Sequence, residues 1–258
     1  MVTTGQRRPG YDKLPRVTMR EGWEAEAQNW ARLARTPGLD HSHEDTNLPP
    51  FLDLVPGPGR RTLDLACGEG RVGRVLASLG HRVVGVDASP TMVRLAAAHQ
   101  QPATAVLADA ARLPFPDEAF DLVVAYMCLH DIDAMPQAVS EAARVLGRPG
   151  RLCAAIPHPV NTAGGFRVPE AAAPYVISGS YLDPARSDWV FDRGGIRMTF
   201  HSEHRPLESY VRALEAGGLL IEAIREPKPP GHAVARDKAA GRWRRIPLFL
   251  QLRAVKPG

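Results

Sequence analysis

The sequence has 258 residues, of which 44% are hydrophobic and 23% charged, a composition typical of one large globular domain or one domain with a cap. The net charge is +4, but the basic residues are scattered and the densest cluster, at 242–245, is too short for a nucleic-acid-binding stripe. No signal peptide and no apolar run of about 18 residues are visible, and three cysteines within or beside apolar runs favour a reducing compartment, so we expect a cytoplasmic protein.

Hydrophobic periodicity predicts the elements along the chain. Residues 1–18 are polar and are expected to be frayed. From Trp23 to Ala34, apolar residues recur at helical spacing, which predicts an amphipathic helix over 20–35. A loop rich in prolines follows, with a short helix at 50–54. Strands are then predicted at 61–66, 82–87, 103–108, 120–127 and 151–156, with helices at 70–79, 90–100 and 135–147. Because apolar residues in these strands do not alternate with polar ones, they predict a parallel sheet covered on both faces.

The alternation stops after residue 156. Residues 157–205 are rich in proline, glycine and aromatic residues, a pattern typical of a lid or cap. A helix at 206–216 and strands at 219–225 and 246–255 follow. The segment 226–243 shows no apolar period and is expected to be mobile. We therefore divide the chain into an N-terminal helical cap at 1–55 and a sheet-containing domain at 56–258, with a cap insertion at about 157–205.

The most informative segment joins the first two predicted strands. Gly68, Gly70 and Gly73 match the pattern G-x-G-x-x-G, and Asp87 ends the next strand 19 residues after the first of these glycines. A nucleoside-bearing cofactor needs this arrangement, because glycines let it approach the backbone and an acid can bind its ribose hydroxyls. The pattern alone is compatible with a nicotinamide or flavin dinucleotide.

Two acids near the loop weigh against a dinucleotide. Asp64 lies on the strand before the loop, and Glu69 lies within the loop. Both would repel a pyrophosphate, whereas they would attract an ammonium group. S-adenosylmethionine carries an adenosine and an ammonium group and has no phosphate.

Several segments also carry a family resemblance. They are DLACGEGR, VVGVDAS, LADAARLPFPDEAFDLVVAYMCLHDI, EAARVLGRPGRLCAAIPHP and MTFHSEHRPLESYVRALEAGG. These segments resemble the successive motifs of class I S-adenosylmethionine-dependent methyltransferases, most closely the small-molecule methyltransferases of actinobacteria, over roughly residues 20–256. The resemblance implies an α/β three-layer sandwich. Its mostly parallel seven-stranded sheet would have the order 3-2-1-4-5-7-6, with the last strand antiparallel and helices on both faces.

The same resemblance implies roles for individual residues. Asp64 would orient the loop or reach the methionine ammonium group through water, Asp87 would accept hydrogen bonds from the ribose hydroxyls, and Asp109 would bind the adenine amino group. The other implied cofactor-binding residues are Ala66, Gly68, Gly70, Ala88, Met92, Ala110, Tyr126 and Met127. Many relatives have glycine in place of Ala66, and alanine fits there if its φ stays negative.

Methyl transfer from a sulfonium is an in-line displacement. It needs alignment and exclusion of water, and in some cases a base that removes a proton from the acceptor. Histidine titrates near neutral pH and suits that role. His158 and His130 are the first candidates, because strand order places both at the mouth of the site, and His201 is the third. A structural hydrogen bond is the alternative for each. No residue spacing resembles a metal site, so no metal is expected.

These observations predict methyl transfer to O, N or C of a small-molecule acceptor in bacterial specialised metabolism. An aromatic cap suggests an apolar or ring-bearing acceptor. No membrane partner is expected, and the sequence makes no prediction of oligomeric state. Neither is nucleic acid expected, since the chain lacks the Asn/Asp-Pro-Pro-aromatic run that grips a flipped base. Three alternatives stay open: a protein of the same fold that binds S-adenosylmethionine without methyl transfer (a cyclase or regulator), a nucleic-acid methyltransferase, and a nicotinamide dehydrogenase.

Overall fold

The computed structural model describes residues 17–98 and 104–258. Within them the strands are β1 (Thr62–Leu65), β2 (Val83–Asp87), β3 (Thr104–Leu107), β4 (Phe120–Tyr126), β5 (Leu146–Pro157), β6 (Gly165–Phe166), β7 (Tyr175–Val176), β8 (Ala185–Arg193), β9 (Ile196–His204), β10 (Leu220–Arg225) and β11 (Phe249–Lys256). The α-helices are α1 (Met19–Arg35), α2 (Leu48–Leu52), α3 (Arg71–Ser78), α4 (Pro90–Ala98), α5 (Met135–Val145), α6 (Pro159–Ala163), α7 (Leu207–Ala216) and α8 (Gly231–Arg236). A π-helix spans Ser42–Asn47, and 3₁₀ helices span Leu129–Asp131 and Lys238–Arg244.

The described residues contain one seven-stranded sheet, in the order β10-β11-β5-β4-β1-β2-β3. Neighbours from β3 to β5 pair in parallel, and β11 pairs antiparallel with both β5 and β10. When only the strands of this sheet are numbered along the chain, their order is 3-2-1-4-5-7-6, as expected. The seventh strand, β11, is the antiparallel one. The predicted fold is therefore confirmed.

The sheet has a buried core on each face. Val123 packs in a cluster with α5 and α7, while its neighbour Val124 packs in a second cluster with Phe51 of α2 and Leu76 of α3. Successive strand residues face opposite sides of a sheet, so both faces must be covered to bury both side chains. This explains why the strand sequences are apolar without alternation.

Two segments for which no helix was predicted contain helices. The predicted loop before α2 contains the π-helix, which corrects that prediction, and the segment 226–243 contains α8 and most of a 3₁₀ helix, while its mobility stays a prediction. Residues 1–16 of the segment predicted to be frayed lie outside the described residues. The last two residues of the helix predicted at 90–100 and the first residue of the strand predicted at 103–108 also lie outside them. No helix in the described ranges is long and apolar enough to cross a bilayer.

Helix α1 crosses the sheet edge at which β1, β2 and β4 end. The hairpin formed by β8 and β9 packs on its outer side, where Trp23 and Trp30 each meet the Phe200 ring edge-on at 5.7 and 6.0 Å. Trp189 stacks on the same ring at 4.2 Å. Aromatic contacts therefore join the N-terminal helix to the segment after β5, at the edge where open α/β sheets bind ligands.

Candidate functional site

The loop after β1 has the backbone shape that its glycines predict. Gly68 and Gly70 have φ values of 57° and 86°, in the left-handed region that glycine adopts without steric cost. A Cβ atom at Gly68 would lie 3.3 Å from Nε1 of Trp30, so α1 packs directly over this loop. The loop therefore presents its backbone beneath α1.

Ala66 departs from the expected conformation. Its φ is 50°, so the expectation of a negative φ is wrong. A left-handed conformation costs an L-residue about 1–2 kcal/mol, because Cβ crowds the following carbonyl oxygen. Met127, directly after β4, has a φ of 53°. Two strand ends at the same sheet edge thus carry backbone strain, a feature that clusters at ligand sites.

Two carboxyl groups lie at the ends of β1 and β2: Asp64 is buried and Asp87 is half-buried. Asp87 accepts hydrogen bonds from the backbone N–H of Gly68 at 2.8 Å and of Ser89 at 2.9 Å. Burial raises the pKa of Asp87, and these hydrogen bonds oppose that change. Asp64 is 2% exposed, and its Oδ2 has no hydrogen-bond partner among the described residues. Burial, together with the charge of Asp87, raises the pKa of Asp64 to about 7.

Glu69 is neutralised by two arginines. Its carboxylate is buried and pairs with Arg35 of α1 at 2.8 Å and Arg74 of α3 at 2.7 Å. The expectation that Glu69 would repel a pyrophosphate is therefore wrong, and this electrostatic argument rests on Asp64.

Glu24, an acid on α1, fastens this helix to the start of α4. It accepts hydrogen bonds from the hydroxyl groups of Ser89 and Thr91. Ser89 in turn caps α4 by accepting the N–H of Met92 at 3.0 Å. Helix α1 is thus held over the residues that follow Asp87. Because α1 is remote in sequence from β2, the sequence patterns did not indicate this role for Glu24.

The residues expected around adenine lie at the ends of β2 and β3. Asp87 pairs with Leu107 in the parallel register, so Ala88 and Asp109 follow neighbouring strand ends. The Asp109 carboxylate accepts the N–H of Ala111 at 2.8 Å. Ala110 and Met92 are buried. The structure therefore brings these residues to the same sheet edge as the glycine loop.

Tyr126, the last residue of β4, is paired with a histidine from the N-terminal region. Its hydroxyl lies 2.9 Å from Nδ1 of His43, which belongs to the π-helix. Burial, with a contribution from the charge of Arg71, lowers the pKa of His43 to about 4. His43 is not among the three histidines that the sequence analysis proposes as bases. Its contact with Tyr126 joins positions 83 residues apart, which no local pattern could reveal.

His158 and His201, two of the expected bases, are held in other contacts. Nδ1 of His158 accepts the N–H of Val160 at 3.1 Å, and Nε2 lies 2.9 Å from Glu226. Both ring nitrogens are occupied, so the geometry favours a helix-capping role over the expected base role. Nδ1 of His201 lies 3.0 Å from Asp188 on the neighbouring strand, and the ring packs against α1.

His130, the remaining candidate, forms a buried pair with Asp131. Nε2 of His130 lies 3.3 Å from Oδ1 of Asp131, while Nδ1 has no hydrogen-bond partner in the described residues. Burial, with a contribution from the charge of Arg205, lowers the pKa of His130 to about 3. Burial raises the pKa of Asp131. Burial, together with the charges of Asp64, Asp131 and Asp87, raises the pKa of the Cys128 thiol, which lies two residues before His130.

Comparison with known proteins identifies the family. A family described as "Methyltransferase domain" matches residues 63–154. A ubiquinone biosynthesis O-methyltransferase of Methylobacterium sp. is 31% identical over 202 residues, which cover 72% of each chain. The chain belongs to the S-adenosylmethionine-dependent methyltransferases.

Two further methyltransferases illustrate the extent of the similarity. An uncharacterized methyltransferase of Synechocystis sp. is 38% identical over 109 residues, which cover 42% of this chain and about half (51%) of that relative. An S-adenosylmethionine-dependent methyltransferase structure from Mesorhizobium loti has a TM-score of 0.66 and 23% identity, and the match covers 80% of this chain and 96% of that one. At this identity the structural match shows a shared fold.

The site residues fit the cofactor of this methyltransferase family. S-adenosylmethionine has an ammonium group, which suits the buried and unpaired Oδ2 of Asp64. Its ribose can use the remaining lone pairs of Asp87, whose carboxylate is already held in place by two backbone N–H groups. In residues 17–98 and 104–258, no group of three or more His, Cys, Asp or Glu residues is arranged to hold a metal ion.

Proposed function

We propose that this chain transfers a methyl group from S-adenosylmethionine to a small-molecule acceptor. The observation that carries the proposal is a pair of acids at the glycine loop. Asp87 is half-buried and anchored by backbone N–H groups, and Asp64 is buried with an oxygen that no described residue bonds. An unpaired buried carboxylate is costly, and a site that tolerates it has a use for its charge.

In this proposal the cofactor-binding residues are those expected from the sequence. Asp64 faces the ammonium group, Asp87 binds the ribose hydroxyls, and Asp109 binds the adenine amino group. The backbone of the glycine loop and the side chains of Ala88, Met92, Tyr126 and Met127 complete the surface. The cap at 1–55 and the insertion at about 157–205 enclose the site, supported by the contacts of α1 with Gly68 and Ser89.

When bound, S-adenosylmethionine supplies an electrophilic methyl group on a positively charged sulfur. The chain's own contribution is to orient the acceptor, exclude water and take its proton. Nδ1 of His130 makes no hydrogen bond to a described residue, and its Nε2 lies 3.3 Å from Asp131. We assign proton removal to the His130–Asp131 pair, because the raised pKa of Asp131 brings this carboxyl closer to neutral pH.

Part of the acceptor's chemistry follows from the relatives. The Methylobacterium relative is named an O-methyltransferase, which favours an oxygen nucleophile over nitrogen or carbon. The aromatic residues Trp189 and Phe200, together with those of α1, support a ring-bearing acceptor. A role in bacterial specialised metabolism stays a prediction.

The first experiment separates methyl transfer from cofactor binding alone. Titration calorimetry with S-adenosylhomocysteine should show binding, while NAD should show none. Radiolabelled S-adenosylmethionine is then supplied with panels of phenols, amines and active methylene compounds, and we expect label in a phenol. Binding of NAD instead would refute the proposal. Binding of S-adenosylhomocysteine with no labelled product in any panel would favour the cyclase or regulator alternative.

The second experiment tests the assigned base. His130→Asn and Asp131→Asn should lower kcat at least tenfold with little change in the affinity for S-adenosylhomocysteine, on the scale of general-base catalysis. In the wild-type enzyme, activity should rise with pH, because the pair must be deprotonated to accept a proton. The matched control is His81→Asn, which replaces a buried histidine at the opposite sheet edge, where it contacts Thr62. Equal activity of the His130 and control variants would remove this assignment.

A further inference from the structure

Arg242 is a buried cation that forms no ion pair with any acid of residues 17–98 and 104–258. The residue is 1% exposed, and its Nε and Nη1 atoms have no hydrogen-bond partner among the described residues. No carboxylate of the residues that the structure describes lies within ion-pair distance of its guanidinium. The nearby acid Asp237 is exposed, and its carboxylate accepts the N–H of Ala239. What surrounds the guanidinium is aromatic: its central carbon lies 5.5 Å from the ring centre of Phe166 and 5.4 Å from that of Trp243.

This arrangement is unfavourable unless an anion other than the described side chains, such as a bound ligand, pairs with the guanidinium. Burial lowers the pKa of Arg242, yet a guanidinium stays charged in proteins. Burying an unpaired ion is strongly unfavourable, and the two cation–π contacts offset only part of that cost. The neighbouring arginines differ: Arg244 donates to the carbonyl of Pro229 and Arg245 to the carbonyls of Ala171 and Ala173.

The topology places Arg242 in the segment between β10 and β11, at the sheet edge where β4 and β5 end. Its 3₁₀ helix lies between β10, which runs parallel to β5, and β11, whose first residue pairs with Pro157 at the end of β5. Helix α8 precedes it and contacts the π-helix, where Arg236 and His232 both meet Asp45. That π-helix carries His43, the partner of Tyr126.

Phe166 connects Arg242 to α6, the helix that follows β5. Its ring lies 5.0 Å from that of Tyr175, whose hydroxyl donates to the carbonyl of Val160 in α6, directly after β5. The Arg242 cluster (Phe166, Arg242 and Trp243) is thus linked through two sets of contacts to the strand ends where the proposed reaction occurs.

We propose that the Arg242 cluster binds a carboxylate group of a ring-bearing methyl acceptor. This inference rests on the proposed function and specifies its substrate class. A monoanion matches the single guanidinium of Arg242, because the adjacent Arg244 and Arg245 direct their hydrogen bonds to backbone carbonyls. Guanidinium and carboxylate form strong charge-assisted hydrogen bonds, and Trp243, which is partly exposed, offers a surface for a ring on the same molecule.

The binding experiment uses the full chain saturated with S-adenosylhomocysteine. Benzoate, indole-3-acetate and 2-naphthoate are each titrated beside the corresponding primary amide, with Trp fluorescence and calorimetry as readouts. We expect at least one carboxylate to bind about tenfold more tightly than its amide, on the scale of a hydrogen bond between charged groups. Arg242→Met should abolish this difference and Arg242→Lys should retain part of it. Arg244→Met, which removes a neighbouring charge, should keep it.

A stability measurement distinguishes a ligand-binding role from a structural one. Because the unpaired cation is unfavourable, Arg242→Met should melt at the same or a higher temperature than the wild-type protein without ligand. A lower melting temperature for Arg242→Met, combined with equal carboxylate binding, would show a structural cation–π role and overturn the inference. Equal affinity of the wild-type protein for every acid and its amide would overturn it as well. Neither result concerns binding of S-adenosylhomocysteine. If the wild-type protein did not bind S-adenosylhomocysteine, the proposed function would be refuted instead.

Discussion

Asp64 should make the protein less stable as the pH rises, and Asp64→Asn should remove this dependence. The pKa of Asp64 is raised from 3.8 to about 7 by burial and by the charge of Asp87. In the unfolded chain the carboxyl group loses its proton near pH 4, so folding of the ionised form requires either reprotonation or burial of the charge. The free energy of unfolding therefore falls between about pH 4 and pH 7 and then levels off.

The magnitude follows from the same pKa values. A tenfold change in proton affinity is worth about 1.4 kcal/mol. Asp64 therefore lowers the free energy of unfolding by about 4 kcal/mol at pH 8 and by less than about 1 kcal/mol at pH 4. The amide introduced by Asp64→Asn would bring an unpaired donor, but that cost does not vary with pH. The stability difference between Asp64→Asn and the wild-type protein should therefore shift in favour of the variant by roughly 3–4 kcal/mol across this range.

Urea unfolding at pH 4, 6 and 8 measures this difference directly. Asp183→Asn is the matched control, because it removes the same charge from an exposed position in the cap. Asp64→Asn should also weaken binding of S-adenosylhomocysteine by about tenfold or more at pH 8, since a charged hydrogen-bond partner of the ammonium group is lost. A stability difference that stays constant from pH 4 to pH 8 would refute the reasoning about the buried charge.

Three further predictions concern the loop and the cap. Asp87→Ala should weaken binding of S-adenosylhomocysteine by about 1–3 kcal/mol in titration calorimetry, and an unchanged affinity would contradict the assigned role. Ala66→Gly should raise stability in urea by up to about 1 kcal/mol, because relief of the left-handed strain exceeds the entropy cost of glycine. Ala77→Gly in α3 is its control and should lower stability by about 1 kcal/mol. His158→Asn should keep turnover within about twofold because Asn also caps helices, and a selective loss of kcat with intact stability would restore the base role.

Much of the fold could be predicted because its signals are local. The apolar runs of β1, β2 and β4 and the glycines between β1 and α3 each depend on neighbouring residues. The expectation for Ala66 failed for a related reason. A sequence shows which residue types tolerate a positive φ, but the path of the chain decides whether that φ is required.

The sequence by itself determined which residues reach the cofactor edge of the sheet. Parallel strands end on the same side, so Asp64, Asp87 and Asp109 had to converge once the strands were identified. Only the tertiary structure decided the state of each group. Contacts between distant segments neutralise Glu69 with Arg35, occupy both ring nitrogens of His158, pair His43 with Tyr126, and leave Arg242 buried without an anion among the described residues. The physical reason is that charge and hydrogen bonding depend on neighbours in space, which packing brings together across long stretches of chain.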